Sequence, residues 1–139
     1  MTQESDNVAV LKDAYAQWAG QKGADCECWM NIIAEDVSLS SLANGSPEMA
    51  FSTPRNGKSQ ILDYLQELGR DWEMIDFDMG DFIAQGDRVV AIGRVAWRNK
   101  ATGKIADTLK VDIWRFQDGK AVEMAEFYDT ACAFAAATP

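Results

Sequence analysis

The stretch from Val111 to Asp129 constrains the fold of this chain more than any other part of the sequence. It contains two runs of β-branched and aromatic residues, separated by Asp118-Gly119. An Asp-Gly pair between two such runs is a strong short-range signal for a β-hairpin. The sequence therefore predicts two long antiparallel strands near its end, at about 105–117 and 120–129.

The rest of the chain divides into a helical first half and a second half rich in strands. The segment 44–57 is rich in Gly, Pro, Ser and Asn, which is typical of a loop, although 49–52 could form a short strand. The last ten residues predict a short helix or a loose tail. The other predicted elements are helices at about 8–19, 24–34 and 58–72 and strands at about 37–43, 75–84, 88–98, 105–117 and 120–129.

Helices followed by an antiparallel meander predict an α+β fold in which the helices cover one face of a curved sheet. Such a sheet can enclose a cone-shaped cavity and leave its outer face free to pack on a second subunit. The 139 residues fit a single domain, residues 1–139, which is long enough to bury its own core.

Composition limits the classes of function. The formal net charge of −9 argues against nucleic acid and against an anionic membrane surface as partners. The sequence shows no N-terminal signal and no apolar stretch of 18 residues. Cys26, Cys28 and Cys132 form an odd set without a repeated C-x-x-C motif, which favours reduced thiols and a cytoplasmic protein.

The chain contains no histidine, which is the commonest general base and the commonest metal ligand. Acid–base chemistry would have to use Asp, Glu, Tyr, Lys or Cys. Cys26 and Cys28 are close in sequence but have no evident third or fourth ligand. We therefore expect neither a metal site nor a cofactor.

The register of the hairpin decides which carboxylates meet, and two registers are open. With a two-residue turn at Asp118-Gly119, Asp112 would lie opposite Ala125. With a three-residue turn and a glycine bulge, Asp112 would lie opposite Met124. We favour the bulged turn because it gathers large side chains around Asp112 and Glu126, namely Trp114, Phe116, Val122, Met124 and Tyr128.

Two orientations of the first hairpin strand are also open. The aliphatic residues Leu109, Val111 and Ile113 alternate with Asp112. If the aliphatic residues face the core, Asp112 is solvated. If Asp112 faces the cavity instead, burial would raise its pKa, and the aliphatic face can form a subunit interface.

Five motifs spread over nearly the whole chain show a family resemblance. They are Ala34-Glu35-Asp36-Val37, Asn56-Gly57-Lys58-Ser59-Gln60-Ile61, Gln85-Gly86-Asp87-Arg88-Val89-Val90, Asp112-Ile113-Trp114-Arg115-Phe116-Gln117-Asp118-Gly119-Lys120 and Glu126-Phe127-Tyr128-Asp129. In this order they resemble the SnoaL-like branch of the NTF2-like superfamily, which includes ketosteroid isomerases and polyketide cyclases. The resemblance implies a cone-shaped fold with three N-terminal helices on a curved, mainly antiparallel sheet, and a small apolar ligand. The apolar residues on both faces of 109–116 predict a homodimer packed through the outer sheet face, because an open face would expose a large apolar patch. The resemblance also favours a cavity-facing Asp112.

The resemblance to ketosteroid isomerase is partial at the level of single residues. Asp112 matches the position of the protonated oxyanion-hole Asp of that enzyme. The position of the oxyanion-hole Tyr falls on Ala14, or on Tyr15 after a shift of one residue. The position of the catalytic base falls on Ser41, which cannot replace a carboxylate, so steroid isomerisation is disfavoured.

Other relatives offer two further comparisons. Those that use an Asp–His pair for elimination are excluded because the chain has no histidine. The epoxide hydrolases use an Asp-Arg-Asp triad, which Lys110, Asp112 and Glu126 imitate loosely. Lysine lacks the bidentate fork of arginine, so this imitation is weak.

Two classes of function remain. In the first, the protein binds a small apolar ligand and acts on it by carboxylate proton transfer, as an isomerase, cyclase, dehydratase or hydrolase. In the second, it binds a ligand without turnover or serves as a dimeric scaffold. The candidate catalytic residues are Asp112, Glu126 and Tyr15, and the candidate ligand-binding residues are Trp18, Trp97, Trp114, Phe116, Met124 and Tyr128.

Overall fold

The computed structural model describes residues 2–139 and has an α+β architecture, as predicted. Helices and one curved six-stranded sheet make up the fold, with strand order β2-β1-β6-β5-β4-β3. Only β1 and β6 pair in parallel; the other neighbouring strands are antiparallel. The elements are α1 Gln3–Gly20, α2 Glu27–Met30, β1 Ile33–Ser41, a 3₁₀ helix Pro47–Ser52, β2 Arg55–Asn56, α3 Lys58–Asp71, β3 Trp72–Gln85, β4 Arg88–Asn99, β5 Ile105–Gln117, β6 Lys120–Tyr128 and α4 Thr130–Ala137.

The predicted second helix is too long, because the chain from Ile33 onward forms β1 and pairs with β6. α2 ends at Met30 and β1 begins at Ile33. The backbone N–H of Ala121 donates to the carbonyl of Ile32 at 2.8 Å, which ties this segment to β6. Of the predicted helix at 24–34, only residues 27–30 are helical.

Two uncertain segments of the sequence turn out to be helical. The segment read as a loop with a possible strand at 49–52 contains the 3₁₀ helix instead. The C-terminal residues form α4, and Asp129 caps this helix by accepting a hydrogen bond from the N–H of Cys132 at 3.1 Å. The helix count is therefore slightly higher than predicted.

The hairpin between β5 and β6 adopts neither predicted register. Asp118 and Gly119 both have positive φ, 51° and 79°, as the tight two-residue hairpin turn requires. A bulge lies further along β6, where Val122 is skipped between the two pairings on either side of it. The extra residue places Glu126 directly opposite Asp112. The predicted partners Met124 and Ala125 were both wrong because the bulge lies in the strand and not in the turn.

The sheet bends at two irregularities in β3. Its register with β4 shifts between Met74 and Asp76 and again between Met79 and Asp81. Gly93 lies opposite the second shift, where a Cβ atom would be 2.0 Å from the carbonyl oxygen of Asp78. Only glycine permits this close approach, which helps the sheet curve around its concave face.

The concave face of the sheet carries the polar residues of interest, and the outer face carries aliphatic ones. Asp112 is 1 % exposed, whereas Leu109 on the same strand is 65 % exposed. The orientation in which the aliphatic residues of β5 face the core is therefore wrong. Across residues 2–139, no helix is both long and apolar enough to cross a membrane.

Candidate functional site

An aromatic cavity of about 100 Å³ lies between the concave face of the sheet and the helices. All five tryptophans and all three tyrosines of the chain line it. Few of the lining residues are polar, and three of those can carry a charge: Lys110, Asp112 and Glu126. The aromatic lining residues are Tyr15, Trp18, Trp29, Phe51, Tyr64, Trp72, Phe77, Trp97, Trp114 and Tyr128.

Most candidate residues predicted from the sequence lie around this cavity. Phe116 is the exception: it is buried in the core but does not belong to the lining. It follows Trp114 by two residues on β5 and lies closer to the hairpin turn. The candidates that the structure brings together at the cavity are Tyr15, Trp18, Trp97, Asp112, Trp114, Met124, Glu126 and Tyr128.

Asp112 is held by an aromatic hydroxyl from the first helix. The hydroxyl of Tyr15 donates a hydrogen bond to Oδ2 of Asp112. The indole Nε1 of Trp114 donates in turn to the Tyr15 oxygen at 2.9 Å. Trp29 stacks on Trp114, with ring centroids 5.6 Å apart and planes within 14°. The proton of Tyr15 is thus directed at Asp112 and not at the open part of the cavity.

Glu126 has a matching arrangement on the next strand. It is 3 % exposed, and its Oε2 accepts a hydrogen bond from the Tyr64 hydroxyl at 3.0 Å. The ammonium of Lys110 lies 3.1 Å from the same oxygen and 3.4 Å from Oδ1 of Asp112. Lys110 also lies 5.6 Å from the centre of the Phe77 ring. One cation therefore serves two facing carboxylates.

Each carboxylate has one oxygen without a hydrogen bond. Oδ1 of Asp112 and Oε1 of Glu126 are buried and accept no hydrogen bond within the part of the chain that the structure describes. A buried polar atom without a partner typically costs about 1–3 kcal/mol. Oδ1 of Asp112 lies 3.4 Å from the Lys110 ammonium, so its charge is paired although it accepts no hydrogen bond.

Burial and charge set the protonation of this group. Burial raises the pKa of Asp112, and the charge of Glu126 raises it further, while Lys110 and the Tyr15 hydroxyl act in the opposite direction. Burial alone would lower the pKa of Lys110, but the two carboxylates outweigh it and raise that pKa. Burial together with the carboxylates raises the pKa of Tyr15 and Tyr64 well above the usual value. Both tyrosines therefore keep their protons, and Lys110 keeps its charge.

Sequence reasoning missed Tyr64. It follows Ile61 by three residues and precedes Leu68 by four, so it belongs to the buried stripe of α3. Its near neighbour Leu62 lies off that stripe and is 37 % exposed. Counting helical spacing from Ile61 would have placed Tyr64 in the interior. Lys110 was identified in the sequence only as part of a weak triad.

The other candidate positions have structural roles. Ser41 Oγ lies 2.7 Å from the Tyr128 hydroxyl, which occupies its hydrogen-bonding capacity. Burial raises the pKa of the Cys28 thiol to about 11, so it stays protonated at neutral pH. Among residues 2–139 no group of three or more acidic or cysteine side chains is arranged to hold a metal ion.

Comparison with known proteins agrees with this architecture. The model of the SnoaL-like domain matches residues 11–124. No curated protein sequence shows significant similarity to the chain. An NTF2-like protein of unknown function from Burkholderia pseudomallei superimposes with a TM-score of 0.83 at 20 % identity, over 100 % of both chains.

Two further solved structures share the fold. One is TerC, co-crystallised with polyporic acid, with a TM-score of 0.79 and 23 % identity over 95 % of this chain and 98 % of TerC. The other is a candidate SnoaL-like polyketide cyclase from Jannaschia sp., with a TM-score of 0.79 and 17 % identity over 100 % of this chain and 96 % of that one. At these identities the likeness establishes the fold alone.

Proposed function

Since the chain belongs to the SnoaL-like domain family, we propose that its cavity binds a small, mainly apolar molecule and that Asp112 and Glu126 act on it by proton transfer. The observation that carries this proposal is the pair of facing, buried carboxylates, each bonded to a tyrosine through one oxygen and both within reach of Lys110. Such a pair offers an acid and a base at one place in an apolar site.

The charge of the buried group supports a division of roles. With one proton shared by the two carboxyl groups, Lys110 balances the remaining negative charge and the group is neutral as a whole. Buried charges are tolerated when they are paired in this way. Because burial raises the pKa of Asp112, we propose Asp112 as the acid of the pair and Glu126 as its partner.

Tyr15 has a positioning role in this proposal, and Tyr64 has the same role for the second carboxylate. The Tyr15 hydroxyl donates its proton to a hydrogen bond with Asp112 Oδ2, so this hydroxyl does not donate to a ligand in this arrangement. Each tyrosine fixes one oxygen of its carboxylate and thereby orients the other. The ligand then contacts mainly apolar lining residues. These include Trp18, Trp97, Trp114, Met124 and Tyr128.

The structural relatives support a ligand-binding role. TerC holds polyporic acid in a protein of the same fold, and another relative is a candidate polyketide cyclase. Ligand binding without turnover is the second candidate function. It is favoured by Ser41, which stands where ketosteroid isomerases carry their base and is paired with Tyr128 here.

We also propose that the protein is a cytoplasmic homodimer that packs through the outer face of the sheet. Two rows of apolar residues cross this face from strand to strand, and a large exposed apolar patch marks an interaction surface. Cys26, Cys28 and Cys132 are free thiols, which fits a reducing compartment. The rows, read from the pairing of β3 to β6, are Ile83, Val90, Ile113 and Ala125, and Ile92, Val111 and Phe127.

Turnover measured with matched amide variants tests the catalytic proposal. Asp112→Asn and Glu126→Gln keep the shape of each side chain but remove its ionisable proton. Either change should lower turnover by roughly 10²–10⁴. The controls are Asp107→Asn and Glu123→Gln, which change exposed carboxylates on the same two strands. The substrates are enolisable ketones, small polyketide-like aromatics and epoxides.

The outcomes separate the two candidate functions. Turnover lost in the cavity variants and kept in the controls supports catalysis by the pair. Equal turnover in all proteins rules out Asp112 and Glu126 as catalytic residues. Saturable binding without turnover by any protein favours the binding function.

A further inference from the structure

We infer that the cavity takes up an uncharged molecule built on a single aromatic ring, which lies between two separate clusters of aromatic side chains. This inference rests on the proposed ligand-binding function and narrows it to one size and class of ligand. It follows from how the lining rings are grouped, how much space they leave and which polar groups of the lining are already bonded to one another.

Nine of the ten aromatic lining residues form two clusters of rings. In the first cluster, Tyr15 and Trp29 are in edge-to-face contact, with ring centroids 5.0 Å apart. In the second cluster, the ring of Phe51 lies 6.3–6.4 Å from each of the other three rings. Within residues 2–139, no pair of rings in contact joins one cluster to the other. The first cluster consists of Tyr15, Trp18, Trp29, Phe77 and Trp114, and the second of Phe51, Tyr64, Trp72 and Tyr128.

Each cluster is hydrogen-bonded to one of the two facing carboxylates. Tyr15 of the first cluster donates to Asp112, and Tyr64 of the second donates to Glu126. Because Asp112 and Glu126 are directly opposed on β5 and β6, the two clusters flank the same part of the sheet. A flat ring between them can present a face or an edge to both clusters. Aromatic contacts of this kind favour binding beyond the apolar area that they bury.

The size of the cavity limits the ligand to one ring. The cavity has a volume of about 100 Å³, whereas an apolar cavity of roughly 150 Å³ takes up benzene. Its walls are packed side chains, which would have to move apart to admit a second, fused ring. A two-ring compound should therefore bind less tightly than a one-ring compound, although it is more apolar.

The polar groups of the lining are already paired with one another, which disfavours a charged ligand. The Lys110 ammonium lies 3.4 Å and 3.1 Å from the two carboxylates. The Tyr128 hydroxyl is hydrogen-bonded to Ser41, and the Thr108 hydroxyl donates to the carbonyl of Leu109 at 2.8 Å. An anion would meet a cation that two carboxylates already hold, and a second cation would lie beside the Lys110 ammonium. Either ligand would lose its hydration without gaining an unpaired partner.

Binding of five matched compounds to the unmodified protein tests this inference. The probes are benzyl alcohol, cyclohexylmethanol, 1-naphthalenemethanol, benzylammonium and benzoate, and titration calorimetry measures their dissociation constants. The three alcohols share one hydroxymethyl group, so they differ only in their rings.

The expected order of affinity follows from ring type and ring number. Benzyl alcohol should bind about threefold or more tightly than cyclohexylmethanol, because only the aromatic ring makes aromatic contacts with the clusters. It should bind about tenfold or more tightly than 1-naphthalenemethanol, because the second ring overfills the cavity. The two charged probes should bind less tightly than benzyl alcohol.

Two matched variants that replace phenylalanine by leucine locate the preference. Phe51 lines the cavity at the centre of the second cluster, whereas Phe116 is buried in the core outside the lining. Phe51→Leu removes one ring and adds space, so both preferences of benzyl alcohol should fall to less than about half. Phe116→Leu should leave both preferences unchanged. The comparison of probes on the unmodified protein decides the inference even if a variant folds poorly.

Each contrary outcome has a separate meaning. Equal or tighter binding of cyclohexylmethanol or 1-naphthalenemethanol overturns the inference but leaves the ligand-binding function intact. Tighter binding of a charged probe also overturns it. If no probe binds, the inference is overturned, and the turnover of larger substrates decides separately whether the proposed function holds. The expected preferences without turnover of any substrate support the inference and contradict only the catalytic proposal.

Discussion

Asp112 and Glu126 face each other across β5 and β6, and each carboxylate accepts a hydrogen bond from a different tyrosine through one of its oxygens. Tyr15 belongs to α1 and Tyr64 to α3, so each of these two helices is hydrogen-bonded to one of the two facing carboxylates. Lys110 lies between the carboxylates and limits their repulsion. The site therefore depends on four separate elements of the fold, and a change to any member should affect the others.

The raised pKa of Asp112 predicts how stability depends on pH. Its pKa is higher in the folded protein than the ordinary value of about 3.9, so the folded state binds more protons between these two values. Wild-type stability should therefore fall as the pH rises through this window, by up to about 1.4 kcal/mol per pH unit. Asp112→Asn should gain stability relative to wild type over the same window. Chemical denaturation of both proteins at a series of pH values measures the difference, and parallel curves would contradict a raised pKa.

Removing the Tyr15 hydroxyl should disturb Asp112 and Trp114 together. Tyr15→Phe leaves the Trp114 N–H without an acceptor and removes a hydrogen bond that lowers the pKa of Asp112. We expect a loss of about 1–3 kcal/mol in the free energy of unfolding and a higher Asp112 pKa. Carboxyl-detected NMR titration and tryptophan fluorescence measure the two effects. In the matched variant Tyr64→Phe, the fluorescence of Trp114 should stay as in wild type.

Lys110 should matter more for stability than any exposed cation of the sheet. Lys110→Met leaves two facing carboxylates buried without a cation, which should cost about 3–5 kcal/mol at neutral pH. The control Arg94→Met breaks an exposed pair with Asp107 and should cost about 0–1 kcal/mol. Adding Asp112→Asn to Lys110→Met should restore part of the lost stability. Equal effects of the two single changes would contradict the role of Lys110.

Sequence patterns could predict the elements of the fold but not the partners within the site. Periodicity identified α1, α3 and the four long strands, because burial along these elements follows one regular face. The bulge at Val122 has no signature in the sequence, and it decides that Asp112 meets Glu126. The burial of Tyr64 could have been predicted from helical periodicity. Its hydrogen bond to Glu126 could not, because it depends on how α3 packs on the sheet. Contacts between distant elements are set by packing, which local patterns do not describe.

Gly93 should be a sensitive position of the curved sheet. Gly93→Ala would place a Cβ atom 2.0 Å from the Asp78 carbonyl, so the backbone must shift. Overpacking of this kind typically costs about 1–3 kcal/mol. The control Gly69→Ala lies in α3 with nothing within 4 Å of the new atom, and should gain about 0.5–1 kcal/mol. Thermal unfolding of both variants checks the contrast, and a neutral Gly93→Ala would show that the sheet can relax there.

The proposed dimer makes Leu109 the most informative position of the outer face. It is 65 % exposed in the single chain and lies on β5 beside the apolar rows that cross the sheet. We expect the unmodified protein to sediment as a dimer at micromolar concentration. Leu109→Glu should shift it to a monomer with little loss of stability in the single chain, because the new carboxylate is solvated there but would be buried without a partner in the dimer. Leu62→Glu changes an exposed leucine on α3, a helix on the opposite side of the sheet, and should leave the dimer intact. A wild-type protein that sediments as a monomer would contradict the dimer, and the outer face would then carry its apolar rows in contact with water.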